Sequence, residues 1–303
     1  MATPIDTLLK SAQQIADRLL LILPAAGGVD WHLQHAAIWR AHGFGHAFHA
    51  ATLDARLNLD DLRSIEHQKQ AIDLNTRQFL AGLPANNVLL WGARGTGKSS
   101  LVHALIRRYA DQGLRMVEVS RTDLAGIADL GAILAELPYR FVVFCDDLSF
   151  EEDDAGYKAL KSALEGSLFK NADNVLIYAT SNRRHLLPEY MRDNLQARMV
   201  EGELHESEAV EERISLSDRF GLWLSFYPFR QDAYLDVAHH WTRRLAEQYG
   251  LPLNSARDLD EAFDVQAAAW ALARGVRSGR TAQHFARHWV GSRLLEEAAY
   301  RSG

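Results

Sequence analysis

The chain has 303 residues, of which 48% are hydrophobic and 24% charged, a composition that predicts a globular protein with one large core or two smaller ones. Its formal net charge of −6 argues against a strongly basic, nucleic-acid-binding body, although a local basic patch is compatible with that average. The longest aliphatic run, residues 19–23, is far shorter than the roughly 20 residues that cross a bilayer, so no membrane span is expected.

Two N-terminal stretches have the residue pattern of helices. Over residues 5–24, apolar side chains recur at three- and four-residue spacing, which indicates an amphipathic helix. Residues 31–51 are rich in Ala, His and aromatic residues and also read as helical, with a break at Gly43 and Gly45. The histidines there lack a neighbouring Cys or acidic cluster, so we interpret them as ordinary polar positions. We predict an N-terminal helical element over residues 1–52.

Short apolar runs follow, and most are separated by helix-like segments. They are Val88–Trp91, Arg115–Val119, Phe141–Cys145, Val175–Thr180 and Leu222–Phe226. Strands that alternate with helices predict an α/β core with a parallel sheet covered by helices on both faces. The single cysteine, Cys145, cannot form an intramolecular disulfide, which favours a reducing, cytoplasmic location.

The strand signals stop after Pro228, and only helical patterns remain. These lie at Asp232–Tyr249, Leu259–Arg274 and Thr281–Tyr300. A helical lid that follows the α/β core is the predicted arrangement. The expected divisions are the N-terminal helical element at 1–52, the α/β core at 53–230 and the helical lid at 231–303.

A glycine-rich loop joins the first predicted strand of the core to a helix. The loop fits the phosphate-loop (Walker A) pattern G-x-x-x-x-G-K-[ST] completely. Its backbone N–H groups and the N-terminus of the helix favour a bound phosphate. Lys98 is expected to reach the β- and γ-phosphate oxygens, and the Ser99 hydroxyl to coordinate Mg²⁺. The predicted ATP-contacting residues here are Gly92, Ala93, Arg94, Gly95, Thr96, Gly97, Lys98, Ser99 and Ser100.

Two adjacent aspartates end the apolar strand Phe141–Cys145. A phosphate loop needs a carboxylate for its metal ion, and Asp146 is expected in the Mg²⁺ shell, with Asp147 polarising the attacking water. Asp is one methylene shorter than the Glu that is usual at the second position. Either the water lies closer to Asp147, or Glu151 or Glu152 contributes.

From about Leu59 to the C-terminus, these motifs and their order resemble those of the AAA+ ATPases. The strings NNVLLWGARGTGKSS, FCDDLSFEE, YATSNRRHLLP and SDRFGLWLSFYPF resemble an uncharacterised group of bacterial single-module AAA+ ATP-binding proteins. The resemblance implies a P-loop NTPase fold with a parallel five-stranded sheet, helices on both faces and a C-terminal helical lid. It also implies binding and hydrolysis of Mg·ATP.

The resemblance assigns roles to residues outside the loop. Asn182, which follows a strand, takes the sensor-1 position between γ-phosphate and water. Arg219 takes the position of an arginine finger that acts on a neighbouring subunit's ATP, where a guanidinium stabilises developing phosphate charge. Arg280, with Arg277 as the alternative, takes the sensor-2 position. Ile65 is expected to pack on the adenine.

The function implied is that of an oligomeric motor, a ring or arc of identical subunits that remodels or loads an unidentified protein partner. The alternatives are a slow ATP-dependent assembly switch, which the short Asp147 favours, and a DNA-processing ATPase, which the acidic balance disfavours. The segment from Arg192 to Arg213 is an insertion between Asn182 and Arg219, and its mixed charge is typical of a binding surface or a solvated loop.

Overall fold

The computed structural model describes residues 13–14, 29–43, 45–54, 57–150, 154–165, 173–183, 199–200, 203–204, 216–253 and 258–302. Its strands are β1 (Ala36–His42), β2 (Gly45–Ala51), β3 (Val88–Gly92), β4 (Leu114–Val119), β5 (Arg140–Cys145), β6 (Val175–Ser181), β7 (Met199–Val200), β8 (Glu203–Leu204) and β9 (Leu222–Phe226). Its α-helices are α1 (Glu66–Leu80), α2 (Lys98–Tyr109), α3 (Ile127–Ala135), α4 (Ala155–Leu164), α5 (Gln231–Tyr249), α6 (Glu261–Ala273) and α7 (Gly279–Ser302).

The main sheet has seven strands in the order β2-β1-β4-β5-β6-β3-β9. All neighbouring strands are parallel except β1 and β2, which form an antiparallel hairpin. The five strands predicted from apolar runs all form, and they are contiguous in the sheet. Their near-continuous apolar sequences are explained by burial on both faces of a parallel sheet.

The helical prediction for residues 36–51 is wrong, because this stretch forms the β1–β2 hairpin around Gly43. Trp39 is buried and lies opposite Phe48, with ring centroids 4.8 Å apart. This cross-strand aromatic pair, together with the pairing of β1 to β4, outweighs the helix propensity of the alanines. The hairpin raises the strand count of the sheet from the predicted five to seven.

Helices cover both faces of the sheet, and the buried side chains of β5 show the division. Phe141 and Val143 belong to a core cluster with α3 and α4. Val142 and Phe144 belong to a second cluster with α1 and α2. A third cluster is built by α5, α6 and α7. The sheet between helices is therefore confirmed, and the predicted helices after Pro228 form close to their expected bounds.

Some sequence predictions fall outside the described residues. The helix expected over 5–24 lies there apart from residues 13–14, and so do Glu151 and Glu152. Within the segment from Arg192 to Arg213, the structure describes only the short antiparallel pair of β7 and β8. Among the helices that are described, none has an apolar stretch long enough to cross a membrane.

Candidate functional site

The loop between β3 and α2 has a backbone conformation that depends on glycine. Gly92 has φ 124°, and a Cβ there would lie 2.0 Å from the carbonyl oxygen of Phe226 in β9. Gly97, the residue before α2, has φ 104°. Both values lie in the left-handed region, which a side chain disfavours. The glycines therefore let the loop turn tightly from strand to helix.

Lys98 is the first residue of α2, and its side chain folds back over this loop. It is buried, and its Nζ donates to the carbonyl oxygens of Gly92 at 2.7 Å and Ala93 at 2.8 Å. Nζ also donates to Asn182 Oδ1 at 3.3 Å. Two backbone carbonyl oxygens and one side-chain amide oxygen thus hold the ammonium group against the loop.

The electrostatic surroundings of Lys98 lower the pKa of its ammonium group to about 8. Burial is the main cause. The carboxylates of Asp147 and Asp146 act in the opposite direction, and the guanidinium groups of Arg280 and Arg94 lower the pKa further. A cation held in a desolvated site interacts more strongly with a bound anion than an exposed cation does.

Asp146 connects the loop to two strands. Its Oδ1 accepts hydrogen bonds from Ser99 Oγ and from Thr180 Oγ1, both at 2.6 Å. Thr180 Oγ1 in turn accepts from the backbone N–H of Asp147 at 2.8 Å. Thr180 was not among the site residues predicted from the sequence. Its position near the carboxyl end of β6, the strand next to β5 in the sheet, could have indicated it.

Asp147 has a left-handed backbone, with φ 50°, which Asp tolerates better than most residues. Asn182 Nδ2 donates a hydrogen bond to Asp147 Oδ1. Asn182 therefore bridges Lys98 through its oxygen and Asp147 through its nitrogen. The predicted sensor-1 residue thus joins the predicted phosphate ligand to the second carboxylate.

These side chains lie at the polar end of a cavity of about 490 Å³, a volume within the range of ligand pockets. The polar end is lined by residues 94–100, Asp146, Asp147, Thr180, Asn182 and Arg280. The apolar end is lined by Leu57, Leu62, Ile65, Phe229, Val237 and Trp241, and the remaining lining residues are Asp61, Arg63, Gly279 and Gln283. Of these apolar residues, only Ile65 was predicted from the sequence, and its side chain is buried.

The structure distinguishes the two arginines near the start of α7. Arg280 lines the cavity, and its backbone N–H donates to the carbonyl oxygen of Gly95 at 3.0 Å. Arg277 is absent from the cavity lining, and its carbonyl oxygen accepts from Phe229 N–H at 3.0 Å. Arg280 is therefore the one of the two that the fold brings to the phosphate loop.

Arg219 is not brought to this cavity. It lies just before β9, whose first residue, Leu222, pairs with Val88 at the start of β3. The phosphate loop leaves the other end of β3. Arg219 Nη2 makes an ion pair with Glu165 Oε1, just after α4, at 2.5 Å. A role of Arg219 within its own subunit's cavity is thus disfavoured by topology.

The chemistry of the cavity fits a nucleotide with a divalent cation. The loop amides, Lys98 and Arg280 provide donors and positive charge for phosphates. Ser99 and Asp146 place a hydroxyl and a carboxylate oxygen 2.6 Å apart, and oxygen ligands of this type suit Mg²⁺. The apolar end, with its indole, suits the faces of a base.

Solved structures with a similar fold include two AAA+ ATPases. A mutant of Thermotoga maritima RuvB is 19% identical, with a TM-score of 0.50, over 76% of this chain and 64% of that one. The Aeropyrum pernix ORC1 protein, solved in complex with DNA, is 18% identical, with a TM-score of 0.51, over 78% and 61%. This chain thus spans less than two thirds of either length, and the likeness shows the fold. No match was found among curated proteins.

A match by sequence covers most of the chain. Residues 32–293 match the family described as "Protein of unknown function (DUF815)". The matched range includes the hairpin, the phosphate loop, both aspartates and most of α7. The chain therefore belongs to the DUF815 family, and its fold is that of the AAA+ ATPases.

Proposed function

We propose that this protein binds Mg·ATP in the cavity between the phosphate loop and α5 and hydrolyses it as an oligomeric motor that acts on a protein partner. The observation that carries the proposal is the convergence of Lys98, Asp146, Asp147 and Asn182 at one end of a cavity whose other end is apolar. These four residues come from three separate parts of the sequence, since Asp146 and Asp147 are adjacent.

In this proposal the loop amides and Lys98 hold the β- and γ-phosphates, and Arg280 approaches from the start of α7. Lys98 must then exchange its contacts with Gly92 and Ala93 for phosphate oxygens. Ser99 and Asp146 are the Mg²⁺ ligands, and the bound ion would supply charge neutralisation between phosphate oxygens. Ile65 and Trp241, which both line the apolar end, contact the base.

Asp147 is the proposed acceptor for the attacking water's proton. Asn182 holds one of its carboxylate oxygens, while Thr180 fixes the Asp147 backbone. The carboxylate is therefore positioned by two neighbours before any substrate arrives. A preoriented acceptor lowers the barrier because its alignment does not have to be achieved in the transition state.

Neutralising Asp146 and neutralising Asp147 should have different effects on ATP binding and on turnover. Asp147→Asn is expected to keep Mg·ATP affinity within about threefold and to lose turnover by a factor on the order of 10²–10³, since it removes the proton acceptor. Asp146→Asn is expected to weaken ATP binding in Mg²⁺ but not in EDTA, since it removes a metal ligand. Binding calorimetry and phosphate release measure the two effects. Equal loss of affinity in both variants would contradict separate roles.

The lowered pKa of Lys98 predicts a pH dependence of ATP binding. Phosphate oxygens favour the charged ammonium, so binding should raise this pKa above its value of about 8 in the free protein. At pH values above 8, ATP binding must then take up a proton, and affinity should fall by up to about tenfold per pH unit. Calorimetry in buffers of different ionisation enthalpy measures this proton uptake, which should be small near pH 7 and close to one proton per ATP bound near pH 9. Equal uptake at both pH values would contradict this.

A slow assembly switch is the second candidate, and one observation favours it. Asp147 is one methylene shorter than Glu, so its carboxylate reaches less far towards the attacking water and hydrolysis can be slow. Oligomerisation in ATP with turnover far below about 0.1 s⁻¹, even in the presence of cell extract, would support the switch over the motor. A DNA-processing role finds no support in the net charge of −6, and the ORC1 likeness shows the fold alone.

A further inference from the structure

Two of the segments that line the apolar end of the cavity face each other. One is the stretch from Leu57 to Arg63, which contains the 3₁₀ turn Leu59–Asp61. The other is α5, which contributes Val237 and Trp241 to the lining. The distance between these two segments sets the width of the apolar end.

Asp61 is the polar centre of this contact, and it is 6% exposed. Its Oδ1 interacts with His240 Nε2 at 3.1 Å, and its Oδ2 with the Arg244 guanidinium. Oδ2 also accepts the backbone N–H of Asn58 at 2.9 Å. Burial is the main factor that lowers the pKa of His240, so at neutral pH its ring is a neutral hydrogen-bond partner and Arg244 supplies the balancing charge.

A second ion pair lies beside the first. Arg63 Nη1 is 3.2 Å from Asp236 Oδ1, and the two side chains are 39% and 50% exposed. An exposed pair of this kind contributes little stability by itself. Asp61, being buried, is expensive to leave without its cation, and it therefore dominates the interaction between the segments.

The spacing along α5 links these contacts to the cavity. Asp236, His240 and Arg244 recur every four residues and share one face of the helix. Val237 and Trp241 follow Asp236 and His240 by one residue each, so they form the adjacent ridge, which lines the cavity. Since α5 is continuous through this region, a shift of the charged face moves the cavity wall with it.

We propose that Asp61, Arg63, Asp236, His240 and Arg244, here called the clasp, position α5 against the segment from Leu57 to Arg63 and so set the affinity for the nucleotide base. The inference rests on the proposed function, because it assigns the apolar end to the base. The clasp residues are positioning residues. Asp61 and Arg63 themselves line the cavity, whereas Asp236, His240 and Arg244 lie outside its lining and act through the placement of Val237 and Trp241.

The test is a charge swap across the exposed pair. Asp236→Arg places like charges together outside the cavity lining and should weaken Mg·ATP binding by about threefold. Arg63→Asp also brings a carboxylate into the lining and should weaken binding more, by about threefold to tenfold. The double variant R63D/D236R restores an opposite pair and should return the affinity to within about twofold of the unmodified protein. Glu296→Arg is the matched control, because it reverses an exposed carboxylate that is also paired with an arginine, Arg293, on α7. It should leave affinity unchanged.

Asp61→Asn provides a second measurement that separates positioning from stability. It should weaken ATP binding by about tenfold or more and leave binding of inorganic triphosphate, which lacks a base, within about twofold. Equal loss for ATP and triphosphate, or single reversals without effect, would overturn the clasp. If the unmodified protein binds triphosphate but ATP no more tightly, the base assignment and the clasp both fail while the phosphate site stands. If it binds neither, the proposed function fails as well.

Discussion

Lys98→Ala is expected to reduce ATP turnover by a factor on the order of 10²–10³ or more and to weaken ATP binding as well. The Lys98 ammonium group donates hydrogen bonds to the loop carbonyl oxygens of Gly92 and Ala93. In the proposed complex it contacts the phosphate oxygens that gain charge during transfer. Its removal therefore costs ground-state binding and transition-state stabilisation together. Steady-state phosphate release and equilibrium binding of Mg·ATP measure the two losses.

Arg108→Ala is the matched control, because it removes a cation from the last turn of the same helix, where the residue is exposed. It should turn over ATP like the unmodified protein. A folded Lys98→Ala variant with undiminished binding and turnover would show that the loop is not the phosphate site, and the proposed function would be wrong.

The phosphate loop was predictable because its residues, 92–100, are contiguous in the sequence. A loop of this pattern carries its own geometry, since glycines at positions such as Gly92 and Gly97 determine the turn and the helix start determines the anion site. Asp146 and Asn182 follow the carboxyl ends of neighbouring strands, which meet at one edge of a parallel sheet. Strand order alone therefore brings them to the loop.

The apolar end could not be predicted in the same way. Asp61 and Trp241 are far apart in the sequence, and neither belongs to a local motif. Their meeting depends on how α5 packs beside the 3₁₀ turn, which is a matter of tertiary contacts such as the interaction of Asp61 with Arg244. Ile65 was anticipated through the family resemblance and not through the pattern of residues around it.

The hairpin was missed because its composition favours another structure. β1 and β2 contain six alanines but one β-branched residue, Ile38, and alanine has the highest intrinsic helix propensity. Burial of Trp39 and its stacking against His46 depend on a partner strand and on β4. Tertiary context thus overrides local propensity, as is usual for strands.

Arg219 is expected to act on the nucleotide of a neighbouring subunit. It lies before β9 at the end of the sheet opposite the phosphate loop, and its described ion pair is with Glu165. In the oligomer that we propose, a cyclic arrangement would place this surface against the next cavity. Arg219→Ala should therefore bind ATP normally and lose turnover by a factor on the order of 10²–10³. Asp218→Asn, at the neighbouring exposed position, should retain activity.

Mixing two inactive variants tests action between subunits directly. In mixed oligomers of Arg219→Ala and Lys98→Ala, some interfaces pair an intact phosphate loop with an intact Arg219 from the neighbour. Random assembly at equal amounts makes about one quarter of all interfaces complete, so about one quarter of the unmodified turnover should return. Each variant alone stays inactive. If light scattering and subunit exchange show mixed oligomers and no activity returns, action between subunits is excluded. A monomer with full turnover would also exclude action between subunits. The ion pair of Arg219 with Glu165 would then persist in the active protein, whereas action on a neighbouring subunit requires assembly to break it.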